Sequence, residues 1–389
     1  MFNPCIRRFL FFLFFTFFCS YIINAQNNFA LKYNNSSIYA GFDVGSKGVK
    51  LSILEIGKNS KKLGSFNILK DTAVNTDFIS FTQPTFQATL NALTKLYTSV
   101  IKQYNIPSEK IFVVISSGVK TQAEKENKTF WLKDLSDSFR LRVHEPQRVV
   151  SIIDVTEEAR LSHLGIVPES KRYTTFLIDI GSGNTKGGYF PMGNTKDIKL
   201  FQLTWGTKSV ANETDKRCDE DKSLANFKKQ LYRVLAGEAN SEIIYSVNAS
   251  GAYNRSDNIA FSGGIAWSVA TLIYPELIDN SVVPVTYNEV AKFNEQLLKN
   301  PKYYSDSAII KTIMDKSLNT LDIANEVKRV NQVFDQKSLL AGSALLLNIM
   351  RQFEGIYEKK QFFLVKNGQV GWISAYVNQS ITKNQSATK

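Results

Sequence analysis

The stretch TFLIDIGSGNTKGGYF, residues 175–190, and the earlier stretch YAGFDVGSKGVKLSILEI, residues 39–56, share one design and decide the fold. Each is an apolar run that ends in Asp-x-Gly-Ser, followed by a short polar turn and a return to apolar residues. This pattern predicts two β-hairpins, each with a carboxylate at the end of its first strand and bare backbone at its tip. Successive backbone N–H groups at such a tip form a site for an anion. Two copies in matching contexts predict a duplicated fold that closes on a phosphate from both sides.

The carboxylates at the two tips have a different predicted task from the backbone amides. Asp43 and Asp179 are anionic, so we do not expect them to bind phosphate directly. We expect them to hold a hydrated cation or to orient a water molecule.

The composition indicates how many domains the chain can form and which kinds of partner it suits. The chain has 389 residues, 43% of them hydrophobic and 12% aromatic, which is enough for two or three domains with a full core. The formal charge of +12 fits an anionic partner, such as a phosphate chain, a nucleotide or a lipid headgroup. The lysines are scattered and form no basic run, so we expect no nucleic-acid partner. A solvated basic surface is the alternative explanation for most of them.

The N-terminal residues have the pattern of an export signal. Two arginines precede an uncharged, Phe-rich stretch at 9–23, and a small-residue cleavage site follows at Ala25. The sequence therefore predicts a signal peptide over 1–25 and a periplasmic or extracellular protein without a transmembrane span after cleavage. A retained N-terminal membrane anchor is the alternative, although the stretch is shorter than the about 20 residues that a span needs. Cleavage would leave Cys218 without a disulfide partner.

The remainder of the chain alternates between strand and helix patterns. Helices are predicted at 86–104, 122–127, from 156 onward, and at 227–235, 265–273, 287–296, 317–333 and 339–353. Further strands are predicted at 62–69, 111–116, 148–153, 199–205, 243–247 and 259–262, with a final pairable segment at 362–365 and 370–376. The order hairpin, strand, helix, strand, helix occurs roughly twice, which favours an α/β protein with two similar lobes.

Five segments, in this order, resemble the exopolyphosphatase and guanosine pentaphosphate phosphohydrolase (Ppx/GppA) family of the actin, sugar-kinase and heat-shock-chaperone superfamily. They are GFDVGSKGVKL, VVISSGVKTQAEKEN, TEEARLSHLGIV, LIDIGSGNTKGGY and FSGGIAWSVATL. The resemblance implies an α/β fold of two ribonuclease H-like (actin-like ATPase) lobes with an interlobe cleft. It divides the chain into lobe I at 26–154, lobe II at 155–357, and a C-terminal segment at 358–389 that packs back toward lobe I.

The resemblance also implies an activity and the residues that carry it. The family hydrolyses terminal phosphoanhydride bonds of polyphosphate or of the alarmone pppGpp with Mg²⁺. By position, Glu158 matches the general base that activates water, Asp179 matches the catalytic and metal-side aspartate of the second turn, and Asp43 matches the metal-side aspartate of the first turn. Such chemistry needs an in-line water, neutralised phosphate oxygens and a carboxylate base. The phosphate-facing residues would be Gly45, Ser46, Lys47, Gly181, Ser182, Gly183, Asn184, Lys186, Gly263 and Gly264.

The chain departs from the family pattern in four places, one of which is that a Ser-Gly pair that precedes the glutamates in the family is missing before Thr156. Lys186 stands where the family has an acid, Lys47 stands where the first turn has an asparagine, and Thr121 falls where the family has an arginine that grips phosphate. The two lysines have three interpretations. They replace the charge of the cation and bind phosphate, they pair with the nearby carboxylates and switch off hydrolysis, or they point to solvent.

The sequence leaves two functions open. The first is an exported phosphoanhydride hydrolase of exopolyphosphatase type that acts on polyphosphate or a phosphorylated small molecule. The second is a catalytically degenerate relative that binds a phosphorylated ligand or a protein partner without turnover. A filament-forming, actin-like protein is a third class, but nothing in the sequence points to a self-association surface. The sequence also leaves open whether the chain forms a homodimer. His144 and His163 are the only histidines, and we expect surface or supporting positions for them rather than a metal pair.

Overall fold

The computed structural model describes residues 29–57, 67–315, 317–355, 359–366 and 368–387. The predicted signal peptide at 1–25 lies outside the described residues, so export stays a prediction. Among the helices that the structure describes, none combines the length and the apolar character needed to cross a membrane.

The first sheet has five strands. They are β1 (Ser36–Val44), β2 (Gly48–Gly57), β3 (Asn67–Asn75), β4 (Ile111–Ile115) and β5 (Val150–Ile152). Their order across the sheet is β3-β2-β1-β4-β5. The first three strands form an antiparallel meander, and β4 and β5 continue the sheet in parallel on the other side of β1.

The second sheet repeats this topology. Its strands are β6 (Thr175–Ile180), β7 (Thr185–Tyr189), β8 (Lys199–Leu203), β9 (Asn258–Ser262), β10 (Val282–Val285) and β11 (Gln361–Val365), in the order β10-β11-β9-β6-β7-β8. Again a three-stranded meander leads into two parallel strands, β9 and β11, and β10 adds an antiparallel edge. The predicted α/β fold of two ribonuclease H-like lobes is thus confirmed.

Thirteen α-helices cover the sheets in the described residues. They are α1 (Gln83–Tyr104), α2 (Ser117–Lys125), α3 (Phe130–Val143), α4 (Val155–Ile166), α5 (Thr207–Arg217), α6 (Leu224–Val234), α7 (Asn240–Ser250), α8 (Gly264–Ile273), α9 (Tyr287–Lys299), α10 (Asp306–Ile310), α11 (Thr320–Val333), α12 (Gln336–Glu354) and α13 (Gly371–Ala387). A π-helical segment, Leu235–Ala239, joins α6 to α7.

Each sheet has its own apolar core. In the first lobe, inward residues of β1, β2 and β4 pack against α1, α2 and α3, with the fully buried rings of Phe42 and Tyr97 in contact. In the second lobe, the larger core gathers the residues of β6 to β9 with α5 to α9, α11 and α12, around buried rings such as Phe176 and Phe353. In both lobes, the apolar faces of helices pack against the inward-facing apolar residues of strands, and this packing forms the core.

Helices α4 and α13 form a close pair between the two sheets. A side chain at Gly165 would lie 2.0 Å from the carbonyl oxygen of Gly371, so the two helices approach more closely than larger residues allow. Helix α13 also packs on β1, where a side chain at Gly41 would meet Ile373 at 2.6 Å. Helix α4 contacts β7 of the second sheet. This pair therefore fixes α4, and the acidic residues at its start, between the lobes.

Two strand predictions were wrong. Residues 243–247 lie inside helix α7, and residues 370–376 lie in the turn Gly368–Val370 and the start of α13. Both are short apolar runs whose periodicity does not separate a strand from a buried helix. In each case the tertiary contacts decide, because Ile243 and Val247 both face the lobe II core and Ile373 packs on β1. The predicted domain boundaries are not tested by this topology and stay a prediction.

Candidate functional site

The two predicted hairpin tips contain the same pair of opposite charges. In the first hairpin Asp43 lies directly across from Lys50, and in the second Asp179 lies directly across from Lys186. The ammonium nitrogen Nζ of Lys50 is 3.8 Å from Asp43 Oδ2, and Nζ of Lys186 is 3.4 Å from Asp179 Oδ2. The internal repeat is therefore Asp-x₆-Lys, and it places a cation beside each tip carboxylate.

The turns between these strands present backbone amides. In the first turn the amide of Gly45 donates to the carbonyl of Gly48 at 2.9 Å, and in the second the amide of Gly181 donates to the carbonyl of Asn184 at 2.9 Å. The N–H groups at positions 46, 47, 182 and 183 have no hydrogen-bond acceptor among the described residues. Such successive amides at a tight turn suit an anion such as phosphate.

Helix α5 holds the second turn from behind. Its first amides, at Thr207 and Lys208, donate to the carbonyls of Gly181 and Ser182 at 2.9 and 2.7 Å. At Gly206 a side chain would lie 2.7 Å from three backbone atoms of the turn, so only glycine allows this contact. The carbonyls of the turn are thereby turned toward α5, which leaves the amides of the tip available.

Glu158 lies in the first turn of α4, whose N-cap is Asp154. The side chain of Asp154 accepts a hydrogen bond from the amide of Glu157 at 2.8 Å, which starts the helix at this position. Glu158 is only 4% exposed. Its Oε2 accepts a hydrogen bond from the backbone amide of Ser117, the first residue of α2, at 2.7 Å. Since α2 follows β4 of lobe I, this bond connects the carboxylate to the first lobe.

The other carboxylate oxygen of Glu158 meets Lys186. Nζ of Lys186 is 3.0 Å from Glu158 Oε1 and 3.4 Å from Asp179 Oδ2, and Asp179 Oδ1 also accepts a hydrogen bond from Ser262 Oγ at 2.9 Å. Burial alone would lower the pKa of Lys186, but the two carboxylates outweigh it and raise that pKa above its ordinary value. Burial would raise the pKa of Glu158, but Lys186 and the Ser117 amide outweigh it and hold that pKa below its usual range. Lys186 and Glu158 are therefore both charged at neutral pH.

Asp43 has a different environment. It is 5% exposed, and its Oδ1 atom has no hydrogen-bond partner among the described residues. Burial raises the pKa of Asp43 to about 6, against the opposing effect of Lys50 and with smaller contributions from the charges of Glu158, Lys186 and Asp179. Because charges of the second hairpin reach Asp43, the two tips face the same cleft.

Further cations line the cleft near the first turn. The pKa of Lys47 is lowered by burial and by the nearby charges of Lys208 and Lys50. Its ammonium lies 5.9 Å from the centre of the Phe334 ring, which belongs to the second lobe. Within the described part of the chain, neither Lys47 nor Lys208 has a carboxylate within ion-pair distance. The mouth of the cleft thus offers positive charge without a counterion.

The remaining candidate residues lie around this centre or apart from it. Gly263 has φ +94°, and a side chain there would meet the carbonyl oxygen of Ile180 at 2.2 Å, so it lets β9 pack against the second turn. A side chain at Gly264 would meet the Phe334 ring at 3.0 Å. Thr121 is exposed on α2. Roles in phosphate binding for Gly263 and Gly264 stay predictions.

The histidines lie in unlike places. His163 is fully buried, its Nε2–H donates to the carbonyl of Thr175 at 3.0 Å, and its ring packs edge-on against Phe190. His163 is therefore not a surface residue, because its neutral ring fills a space in an apolar cluster on α4, and a supporting role for it stays a prediction. His144 ends helix α3 in a left-handed conformation, with φ 58°.

A divalent cation does not fit the residues that surround the second tip. Mg²⁺ needs oxygen ligands in an octahedron at about 2.0–2.1 Å. Here the ammonium of Lys186 contacts both Glu158 and Asp179, and it would repel a second cation between them. In the part of the chain that the structure describes, no three His, Cys, Asp or Glu side chains are arranged to hold a metal ion.

Four contributing residues escaped the sequence analysis: Lys50, Ser117, Lys208 and Ser262. An alignment of the two turns, DVGSKGVK with DIGSGNTK, reveals Lys50 as the counterpart of Lys186. Ser117 acts through its backbone amide, Lys208 lies at the start of a helix, and Ser262 acts through its hydroxyl. No spacing in the sequence identifies these three residues.

Comparison with solved structures tests the proposed resemblance. The crystal structure of an Aquifex aeolicus Ppx/GppA family member aligns with a TM-score of 0.61, covering 90% of this chain and 99% of that one at 18% identity. An exopolyphosphatase from Cytophaga hutchinsonii aligns with a TM-score of 0.55, covering 87% and 98% of the two chains at 12% identity. The chain has the fold of the Ppx/GppA family. The resemblance that the five segments suggested is confirmed at the level of the Ppx/GppA fold.

Sequence comparison adds a further relative that matches only part of the chain. A bifunctional 3-dehydroquinate synthase/phosphatase of Fusobacterium nucleatum subsp. nucleatum is 23% identical over 195 residues. The match covers 47% of this chain and 27% of the length of that protein. No family model matches the chain. The Ppx/GppA fold is that of a phosphohydrolase family, and what this chain does is a separate question.

Proposed function

We propose that the chain is a phosphohydrolase that binds a polyphosphate-like anion in the interlobe cleft and cleaves its terminal phosphoanhydride bond. The observation that carries this proposal is the position of Glu158, a buried, ionised carboxylate between two hairpin tips with free backbone amides. A carboxylate at that place suits a general base for a water molecule.

The reaction that we propose is a displacement by water. The water oxygen forms a bond to the terminal phosphorus as the P–O bond of the anhydride breaks. The shortened phosphate chain leaves with the bridging oxygen and the electron pair of that bond, and Glu158 takes up the water proton. The amides of the turns at 45–48 and 181–184 and the ammonium groups of Lys47 and Lys208 offset the charge on the phosphate oxygens. Because these groups recognise the negative charge of phosphate and not a nucleobase or a sugar, we propose a phosphate chain as the substrate class.

The ion pair of Glu158 with Lys186 favours a second function, binding without turnover. At 3.0 Å the ammonium holds the pKa of Glu158 low, and a carboxylate with a low pKa is a weaker base. The same cleft would then hold a phosphorylated ligand as a sensor or a binding protein does.

One experiment separates the two functions. Phosphate release from tripolyphosphate, long-chain polyphosphate and pppGpp is measured beside calorimetric binding of the same anions. For a hydrolase we expect Glu158→Gln to lower turnover at least about 100-fold, as loss of a general base does, without loss of binding. Glu157→Gln, in the same helical turn but paired with Arg160, is the matched control and should change turnover less than about twofold. Binding without phosphate release by the native chain supports the second function, and neither binding nor release contradicts both.

We also propose that the protein is exported, on the basis of the sequence pattern at 1–25. An extracytoplasmic protein meets polyphosphate more readily than a cytoplasmic alarmone. Expression of the full chain in a bacterial host, followed by fractionation and N-terminal sequencing, should recover a protein that starts at Gln26. Recovery of the intact chain from the cytoplasm would rule export out.

A further inference from the structure

The charge balance around Lys186 is unusual for a cleft that accepts phosphate. The carboxylate of Glu158, which is buried, and the carboxylate of Asp179, which is partly buried, lie in front of the second turn. Without a cation these carboxylates would repel any phosphate that approached the amides of 182–183. The cation present is a side chain of the protein, and its burial and its two ion pairs fix it in place.

The first tip provides an internal comparison. Lys50 is the counterpart of Lys186 in the repeat, but its side chain is 41% exposed and stands 3.8 Å from Asp43. The side chain of Lys186 is 8% exposed and contacts acids from two different elements. Only the second lysine therefore lies where a cation bridges the acids of helix α4 and strand β6.

A lysine ammonium has three N–H donors. Two of them are accounted for by Glu158 Oε1 and Asp179 Oδ2. One donor remains for an oxygen of a bound anion. Close by, the Oδ1 atom of Asp43 is buried and has no hydrogen-bond partner among the described residues.

We infer that the ammonium of Lys186 is the resident cation of this cleft, in place of a divalent metal, and that anion binding there needs no metal ion. The inference deepens the proposed function, on which its anion-binding part rests. Its metal part concerns the chain alone and stands whether or not the chain hydrolyses phosphate. It departs from the Mg²⁺ that the family resemblance implies.

The first test uses Mn²⁺ without any phosphate ligand. Electron paramagnetic resonance of Mn²⁺ titrated with the native chain should show no specific binding at the cleft. Lys186→Glu, which places a third acid beside Glu158 and Asp179, should bind Mn²⁺ at least about 10-fold more tightly than the native chain. Lys199→Glu is the matched control, since Lys199 is exposed at the start of β8 and gives the same change of charge.

The second test uses tripolyphosphate as the probe. Its dissociation constant for the native chain should be the same within about twofold with and without excess chelator, and Lys186→Gln should weaken it by about 10- to 100-fold in chelator. Circular dichroism checks that each variant is folded, and the measurements on the native chain stand even if a variant is not. The inference is overturned if the native chain binds Mn²⁺ in a way that Asp179→Asn removes, or if chelator abolishes tripolyphosphate binding. A native chain that binds neither Mn²⁺ nor tripolyphosphate overturns the proposed function and the anion part of the inference, but leaves the exclusion of metal in force.

Discussion

At position 186 a buried basic side chain lies between two acidic ones, of which Glu158 is buried and Asp179 is partly buried. Removing three charges from water costs several kcal/mol per ion, and the attraction among them returns that cost only because the geometry is close. Once the group is buried, each member depends on the others. The contacts of Lys186 with Glu158 and Asp179 thus connect α4 to β6 and β7 as well as setting the charge of the cleft.

Loss of the Lys186 charge should destabilise the fold in a pH-dependent way. We expect Lys186→Met to lower the free energy of unfolding by about 3–5 kcal/mol at neutral pH, because the buried carboxylate of Glu158 and the partly buried carboxylate of Asp179 lose their counterion. In the native chain the pKa of Glu158 is held down, so the stability from its pairing is present above the pKa of the unfolded chain and is lost as the pH falls. In the variant the carboxylates can take up protons, so the difference between the two proteins should shrink on acidification. Urea unfolding from neutral to acidic pH measures this, with Lys199→Met as the control, and a difference that does not vary with pH would contradict the account.

His163 gives a second pH dependence. Burial lowers its pKa to about 4, so the unfolded chain takes up a proton near pH 6.5 and the folded chain only near pH 4. Its contribution to stability is therefore lost as the pH falls through that window, by up to about 3 kcal/mol. Asp43 acts in the opposite sense, because burial raises its pKa to about 6 and the folded chain takes up that proton first.

Since the two effects oppose each other, the prediction concerns a difference between proteins. The stability of the native chain relative to His163→Gln should fall by about 3 kcal/mol between pH 7 and pH 4. The glutamine keeps an N–H donor for the carbonyl of Thr175 but does not titrate. A relative stability that is flat over this range, measured by thermal or urea unfolding, would show that His163 is not held neutral.

At the scale of elements, the site depends on where helices and turns begin. Helix α4 starts at its Asp154 cap and so directs Glu158 into the cleft, and α2 starts at Ser117 and donates an amide to it. Helix α5 starts directly behind the second turn, and the close backbone contact leaves no room for a residue larger than glycine at position 206. The catalytic geometry that we propose is therefore a property of three helix N-termini and two hairpins.

Gly206→Ala should move α5 away from the second turn. The added methyl group would lie 2.7 Å from backbone atoms of Gly181, Ser182 and Asn184, which cannot give way as a flexible side chain would. We expect a loss of about 1–3 kcal/mol of stability and a weaker affinity for tripolyphosphate, by about 10-fold. Gly355→Ala is the control, since nothing lies within 4 Å of the added methyl group there. Unfolding and calorimetric titration of both variants test this, and equal effects would contradict it.

How far the sequence predicts the molecule can be judged from these same elements. The hairpins at 175–190 and 39–56 were predictable because Asp-x-Gly-Ser after an apolar strand is a local pattern. The segment 243–247 was not, because five apolar residues in a row fit a strand and a buried helix equally well. The pairing of Lys186 with Glu158 was among three interpretations of that lysine, and only tertiary structure separates them. Lys186 is only 6% exposed, which rules out the interpretation that it points to solvent.

At the scale of the whole molecule, the chain is a duplication that meets at a cleft. Each sheet has an antiparallel hairpin followed by parallel strands, and each hairpin ends in Asp-x₆-Lys. The α4–α13 pair joins the lobes at the base of the cleft, and contacts between side chains also connect them. One is the Lys47–Phe334 contact, and another joins Arg329 of α11 to Asp71 of β3 at 3.4 Å. This arrangement favours rotation of one lobe about the base.

The Arg329–Asp71 pair should act as a weak closure of the cleft. Both side chains are partly exposed, so the pair contributes up to about 1 kcal/mol, which corresponds to about a fivefold change in the ratio of closed to open molecules. Arg329→Gln should therefore raise the radius of gyration measured by small-angle scattering, and tripolyphosphate, which would contact both lobes, should restore the native value. Added salt should have the effect of the variant on the native chain, because it screens a pair of this kind. Arg217→Gln breaks an exposed pair with Glu213 within one helix and is the matched control. If both variants scatter alike, or if the anion leaves Arg329→Gln unchanged, the pair does not hold the lobes together.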